Sequence, residues 1–175
     1  MSEPTARVPV EGPRAARIAA PLDEALDSFA AAAMRAREVD AVTTELVRLR
    51  CAHYHDCRIC GSLRMSEARD AGVDEAVAAK VANYEASDLP EHAKVALRLV
   101  DAVIIAPASA PPGLAAQLHE HFDDRQIAEL LLDVVKWSRQ KELVALRLET
   151  PPWMGTNLLA FDARGDALIG AATTG

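Results

Sequence analysis

The chain has 175 residues, 50% of them hydrophobic but only 4% aromatic, and a formal charge of −7 with a pI near 5.2. That length suits one domain with a sizeable core, and a core rich in Ala, Leu and Val but poor in rings suits close-packed helices better than a sheet. An acidic surface without a Lys/Arg run argues against nucleic acid as a partner. The longest apolar stretch, residues 95–106, is broken by Arg98 and Asp101 and falls short of the ~18 residues a membrane span needs.

Residues 1–20 hold three prolines without periodicity and read as an N-terminal arm. They contain no apolar run of the secretory kind, so the expectation is a soluble, cytoplasmic protein. Pro21 opens an Ala-rich helix over residues 21–37, with Leu22, Leu26, Phe29 and Ala33 on one face. A second helix spans 39–52, with Val42, Leu46 and Leu49 inward and Arg48 and Arg50 pointing elsewhere. The segment His53-Tyr54-His55-Asp56 reads as a turn, with Asp56 capping a third helix over 57–72 that ends at Gly72.

Asp74 caps a short helix to about residue 83, and Pro90-Glu91 starts another that runs to 105. Pro107, Pro111, Pro112 and Gly113 form a hinge before a short helix over 114–122. Asp123 and Gln126 have capping-box spacing and open the longest helix, to about 148, with Ile127, Leu130, Leu131, Val134 and Trp137 as a core stripe. Beyond Pro151-Pro152, residues 151–175 read as an arm or a short hairpin around Ala163-Arg164-Gly165. The expected fold is therefore all-α, a single helical domain over 21–150 of about six to seven helices.

Cys57 and Cys60, spaced C-x-x-C, are the residues that carry chemistry. Thiols one helical turn apart close a disulfide with little backbone movement. A helix start and nearby Arg58 and Arg64 favour thiolate. No βαβ pattern surrounds the pair, which excludes a thioredoxin. Two other readings stand beside redox chemistry. One is a pair of buried structural cysteines. The other is zinc held among Cys51, His53, His55, Cys57 and Cys60, although zinc normally draws ligands from two separated pairs; no metal or cofactor is expected. Cys51 reads as core. If the chain folds back at Tyr54-His55, Glu45 comes level with Arg64, either as a salt bridge or as a carboxylate relaying protons to a thiol.

Glu45-Leu46-Val47-Arg48-Leu49-Arg50 followed, twelve residues after Glu45, by Cys57-Arg58-Ile59-Cys60 resembles the core of the carboxymuconolactone decarboxylase-like superfamily, in its alkylhydroperoxidase D-like branch. The likeness spans roughly residues 17–150 and includes Arg17-Ile18-Ala19-Ala20-Pro21-Leu22 and the Ala71-Gly72-Val73 turn. It implies a helical hairpin carrying the C-x-x-C motif and assembly as a trimer, hexamer or dimer. The implied activity is a peroxidase of peroxiredoxin type or a disulfide reductase, consuming a hydroperoxide or disulfide with electrons from a dithiol or protein donor. Cys60 would be the peroxidatic thiol, Cys57 its partner, and Glu45 the head of a proton relay. Where the branch places a His four residues after the second Cys, this chain has Arg64, which cannot shuttle protons at neutral pH. His53 or His55 would then serve as the base, with Arg64 and Asp56 in support. The other readings are a redox-sensing or non-catalytic binding module, or a decarboxylase-type enzyme of the same superfamily.

Overall fold

The computed structural model describes Val8 and residues 20–172. Apart from Val8 and Ala20, the expected N-terminal arm, with the Arg17-to-Ala19 part of the motif, thus lies outside the described residues.

The architecture is predominantly helical. Helix α1 (Ala20–Ala33) leads to α2 (Ala41–His55), the central helix, which packs against α6 (Glu91–Ile105) and α8 (Asp124–Trp137). The caps that start these helices are local and legible. Asp40 Oδ1 accepts the Thr43 N–H at 3.0 Å, and Asp123 with Gln126 closes the expected capping box, Asp123 Oδ1 accepting the Gln126 N–H at 2.9 Å. Leu46, Val47, Leu97, Val100, Leu130 and Val134 fill the centre, each 1% exposed or less.

Three expectations are corrected. First, α2 does not stop at Ala52 but continues through His53, Tyr54 and His55. It ends in a Schellman-type closure, with Asp56 left-handed at φ 56° and the Cys57 N–H donating to the Ala52 carbonyl at 3.0 Å. Asp56 therefore closes α2 instead of capping the next helix, and Cys57 itself caps α3 (Arg58–Gly61), its Sγ accepting the Cys60 N–H at 3.4 Å.

Second, the helix expected over 57–72 is a single turn, followed by strand β1 (Leu63–Met65) and helix α4 (Ser66–Asp70). Leu63, Arg64 and Met65 are buried on both faces because they pair in parallel with β2 (Asn157–Phe161), and β2 pairs antiparallel with β3 (Ala167–Ala172). A pairing partner more than ninety residues away leaves no trace in local periodicity.

Third, the long last helix breaks. Ser138 Oγ bonds back to the Val134 carbonyl at 2.8 Å, and α8 stops at Trp137 before α9 (Gln140–Ala145).

Between these elements lie α5 (Glu75–Ala79), capped by Asp74 as expected, a 3₁₀ segment (Lys80–Ala86) and α7 (Leu114–His121). The β2–β3 hairpin docks on α1: the Arg164 carbonyl accepts from Arg35 at 2.6 Å. Gly165 lies so close that a Cβ there would overlap the Ala31 carbonyl. Two apolar faces stay uncovered. Leu22 and Leu26 of α1 are exposed, and so are Leu131, Leu132 and Val135 of α8, so neither expected stripe is wholly core. No helix among the described residues is long and apolar enough to cross a membrane.

Candidate active site around Cys57 and Cys60

The end of α2 delivers the motif. Because the Schellman closure reverses the chain within one residue, Cys57 lies directly under the last turn of α2, and α3 brings Cys60 back toward it. The two cysteines are joined as a disulfide, with Cα atoms 5.4 Å apart. Their surroundings differ. Cys57 is buried and its residue lines a cleft of about 310 Å³ together with His53, Asp56, Arg58 and Arg64. Cys60 is half-buried and borders a separate, mainly apolar cavity of about 570 Å³ between α1, the α8–α9 break and the hairpin.

The carboxylate expected to face Arg64 has another partner. Glu45 and Arg48, one helical turn apart and both 1% exposed or less, form a bidentate pair, with Arg48 Nε and Nη2 donating to the two Glu45 oxygens at 2.6 and 2.8 Å. Arg48 also donates to the Cys60 carbonyl at 2.7 Å and the Leu63 carbonyl at 2.6 Å. Glu45 in turn accepts the Met65 N–H at 3.1 Å. The fold-back does set Glu45 level with β1, yet it meets backbone there, while Arg64 turns to Glu75 at 2.7 Å and to the Gly61 carbonyl at 2.7 Å. Arg48, expected to point away from the core, is thus the residue that holds the carbonyl of Cys60. Its sequence signal was an acid–base pair at i, i+3 on a face otherwise buried. Arg50 too is engaged, forking onto Asp101 at 2.7 and 2.9 Å.

The two histidines separate. His53 is exposed at the mouth of the Cys57 cleft. His55 lines a different cavity with Tyr54, Lys141 and Val144, where burial, with Lys141 nearby, pushes its pKa down to about 4. Cys51 is fully buried as a free thiol, and burial pushes its pKa up to about 12. The five residues considered for zinc therefore do not converge, and no group of three or more metal-ligating side chains is gathered among the described residues.

Sequence reasoning gave residues 147–153 no part in the site. The Glu149 carbonyl accepts the Ile59 N–H at 2.7 Å, inside the C-x-x-C turn. Its fully buried carboxylate accepts from Arg58 at 3.0 Å and from Arg147 at 2.8 Å. Burial alone would raise the pKa of Glu149, but its hydrogen bonds and the two guanidinium groups hold it below the usual carboxylate value. Thr150 Oγ1 accepts from Arg58 at 2.8 Å, and Trp153 Nε1 donates to Ser62 Oγ at 3.1 Å. No local motif marks these residues, because Glu149, Thr150 and Trp153 reach the C-x-x-C turn across some ninety positions.

No family model matches the chain. Among solved structures, it superposes with a TM-score of 0.69 and 20% identity on a protein of unknown function from Agrobacterium tumefaciens, described as a candidate antioxidant defence protein AhpD, covering 85% of this chain and all of that one. The fold is alkylhydroperoxidase D-like. In sequence, the chain is 38% identical over 126 residues to an uncharacterized protein of Mycobacterium tuberculosis, Rv2313c in strain H37Rv. That match takes in 71% of this chain but only 44% of the relative, so the chain spans less than half the length of that curated protein. It is also 27% identical over 107 residues to the uncharacterized protein YdfG of Bacillus subtilis, 58% of this chain and 72% of that one.

Proposed function

We propose that the chain is a thiol oxidoreductase that reduces hydroperoxides, or a partner disulfide, by cycling its Cys57–Cys60 bridge in a reducing, intracellular setting. The observation that carries this reading is the asymmetry of the pair: a half-buried Cys60 on a substrate-sized cavity, backed by a buried Cys57 already within bonding reach.

The Cys60 thiolate attacks the outer oxygen of the hydroperoxide. The O–O bond breaks, the alcohol leaves after taking a proton, and Cys60 becomes a sulfenic acid. His53 takes the Cys57 proton as Cys57 Sγ attacks Cys60 Sγ; hydroxide departs and takes a proton from solvent as water, the disulfide closes, and His53 returns its proton to solvent. A dithiol donor restores both thiols and is oxidised in turn. His53, at the mouth of the Cys57 cleft, is the base that accepts the Cys57 proton, a role Arg64 cannot fill. His55, on another cavity, takes no part. Glu45 acts through Arg48 as a positioning residue, since both its oxygens are engaged.

Thiol titration tests the cycle. The reduced protein should show three thiols on denaturation, fall to one after stoichiometric peroxide, and return to three with a dithiol. The residual thiol should be Cys51. Persistence of all three after peroxide would defeat the proposal and favour a non-catalytic module in which the Glu45–Arg48 and Arg64–Glu75 pairs are purely structural.

The exposed leucines of α1 and α8 support a homo-oligomer, in which they would be covered. Sedimentation should give a particle larger than the 18.8 kDa chain; a monomer at micromolar concentration would refute this.

A further inference from the structure

The turn that carries the cysteines is held from outside itself. α3 is a single helical turn, too short to keep its shape in water alone. On one side Arg48 donates to the Cys60 carbonyl at 2.7 Å. On the other side runs the segment from Arg147 to Asn157. There the Glu149 carbonyl accepts the Ile59 N–H at 2.7 Å, and the Glu149 carboxylate and Thr150 Oγ1 accept from Arg58 at 3.0 and 2.8 Å. Trp153 Nε1 donates to Ser62 Oγ at 3.1 Å, which itself donates to the Ile59 carbonyl at 2.9 Å. The Asn157 N–H closes the segment on the Ser62 carbonyl at 2.9 Å.

Glu149 anchors this segment at its start. Its side chain is fully buried, and Arg147, just past the end of α9, donates to it at 2.8 Å. Arg147 stands at φ 57°, the left-handed backbone that glycine usually supplies after a helix. An arginine is strained there, and its ion pair with Glu149 offsets that strain. The carboxylate thus joins the end of α9 to Arg58 inside the motif, and holds its own peptide carbonyl against Ile59.

We infer that Glu149 is a positioning residue for the thiol pair, keeping the reduced turn in the shape of the bridged one and so stabilising the Cys57–Cys60 disulfide against reduction. It acts through Arg58 and the Ile59 N–H. The reason is entropic. An unheld turn gains many conformations when its disulfide breaks, and that gain favours the dithiol. A turn clamped from Glu149 gains few, so the two thiols stay within bonding reach. This equilibrium concerns the disulfide alone. That the same clamp speeds attack of Cys57 on a Cys60 sulfenic acid rests on the proposed cycle.

The test is the redox equilibrium of the full-length protein in graded mixtures of reduced and oxidised dithiothreitol, read by acid quenching, alkylation and mass. In that exchange dithiothreitol loses two electrons and two protons and cyclises, while Cys57 and Cys60 become thiols. Glu149→Ala should be half-reduced at about a tenfold lower ratio of reduced to oxidised dithiothreitol than the parent, a potential about 30 mV higher. Thr150→Val, at an exposed position, should shift the ratio the same way by about threefold. Glu149→Gln keeps an oxygen facing Arg58 and should recover most of the shift. Asp101→Asn weakens the Arg50 and Tyr84 bonds, away from the motif, and should melt earlier while keeping the parental potential. A parental potential in Glu149→Ala, no recovery in Glu149→Gln, or an equal shift in Asp101→Asn would each overturn the inference. If Glu149→Ala fails to fold, Thr150→Val decides, and a parental potential there overturns it. A protein that shows these shifts yet turns over no peroxide loses only the proposed catalysis. One that turns over peroxide with no shift in the variants loses only this role of Glu149.

Discussion

Cys60→Ser should reduce peroxide consumption to the uncatalysed background, whereas Cys57→Ser should retain a single turnover and then stop. The difference follows from which sulfur borders the cavity. Cys60 is half-buried against about 570 Å³ of apolar space, and Cys57 is buried behind it. Without Cys60 there is no thiolate to attack the O–O bond. Without Cys57 the attack still occurs, but the sulfenic acid has no thiol to condense with and persists for trapping by dimedone. Neither substitution should unfold the protein. A disulfide closing so short a loop stabilises by only about 2 kcal/mol, and that contribution vanishes when parent and variant are compared in reductant. Turnover by Cys60→Ser at the parental rate would remove the peroxidase reading.

The second large effect is on stability. Arg48→Ala should cost about 3–5 kcal/mol, lowering the melting temperature by roughly 10 °C for a chain of this size. Four hydrogen bonds end on the Arg48 guanidinium: two on Glu45 and one each on the carbonyls of Cys60 and Leu63. Removing it leaves a fully buried carboxylate with the Met65 N–H, and strips two backbone acceptors at the point where α3 turns into β1. Arg48→Lys should recover little, because an ammonium cannot span a carboxylate and two carbonyls as the planar fork does. The double variant Glu45→Leu with Arg48→Met should be markedly more stable than Arg48→Ala alone, since it removes the unpaired charge along with its partner. Chemical unfolding in urea measures all three. A loss below about 1 kcal/mol for Arg48→Ala would show that the pair is dispensable.

These two predictions draw on different amounts of the sequence. The C-x-x-C pair stood out from its spacing alone, and its bonding needed nothing beyond a local turn. The caps at Asp74 and Asp123 and the close of α4 before Gly72 were equally legible, because a cap is satisfied within three or four residues of itself. Arg48 was half legible: its spacing from Glu45 showed a pair was possible, but arginine on a helix is usually solvated, and only the surrounding core makes this one buried.

What the sequence determined by itself was the helical class, the disulfide-forming pair and the helix starts capped by Asp74 and Asp123. Tertiary structure decided the rest. It turned residues 63–65 into a strand against β2, tied the C-x-x-C turn to Glu149, and sent Glu45 to Arg48 and Arg64 to Glu75. It also parted His53 from His55 and set Cys57 and Cys60 on two different cavities. The physical reason is range. Periodicity and capping record interactions within a turn or two of helix, whereas the partners that complete this site lie up to about ninety residues apart and meet only when the chain has closed on itself.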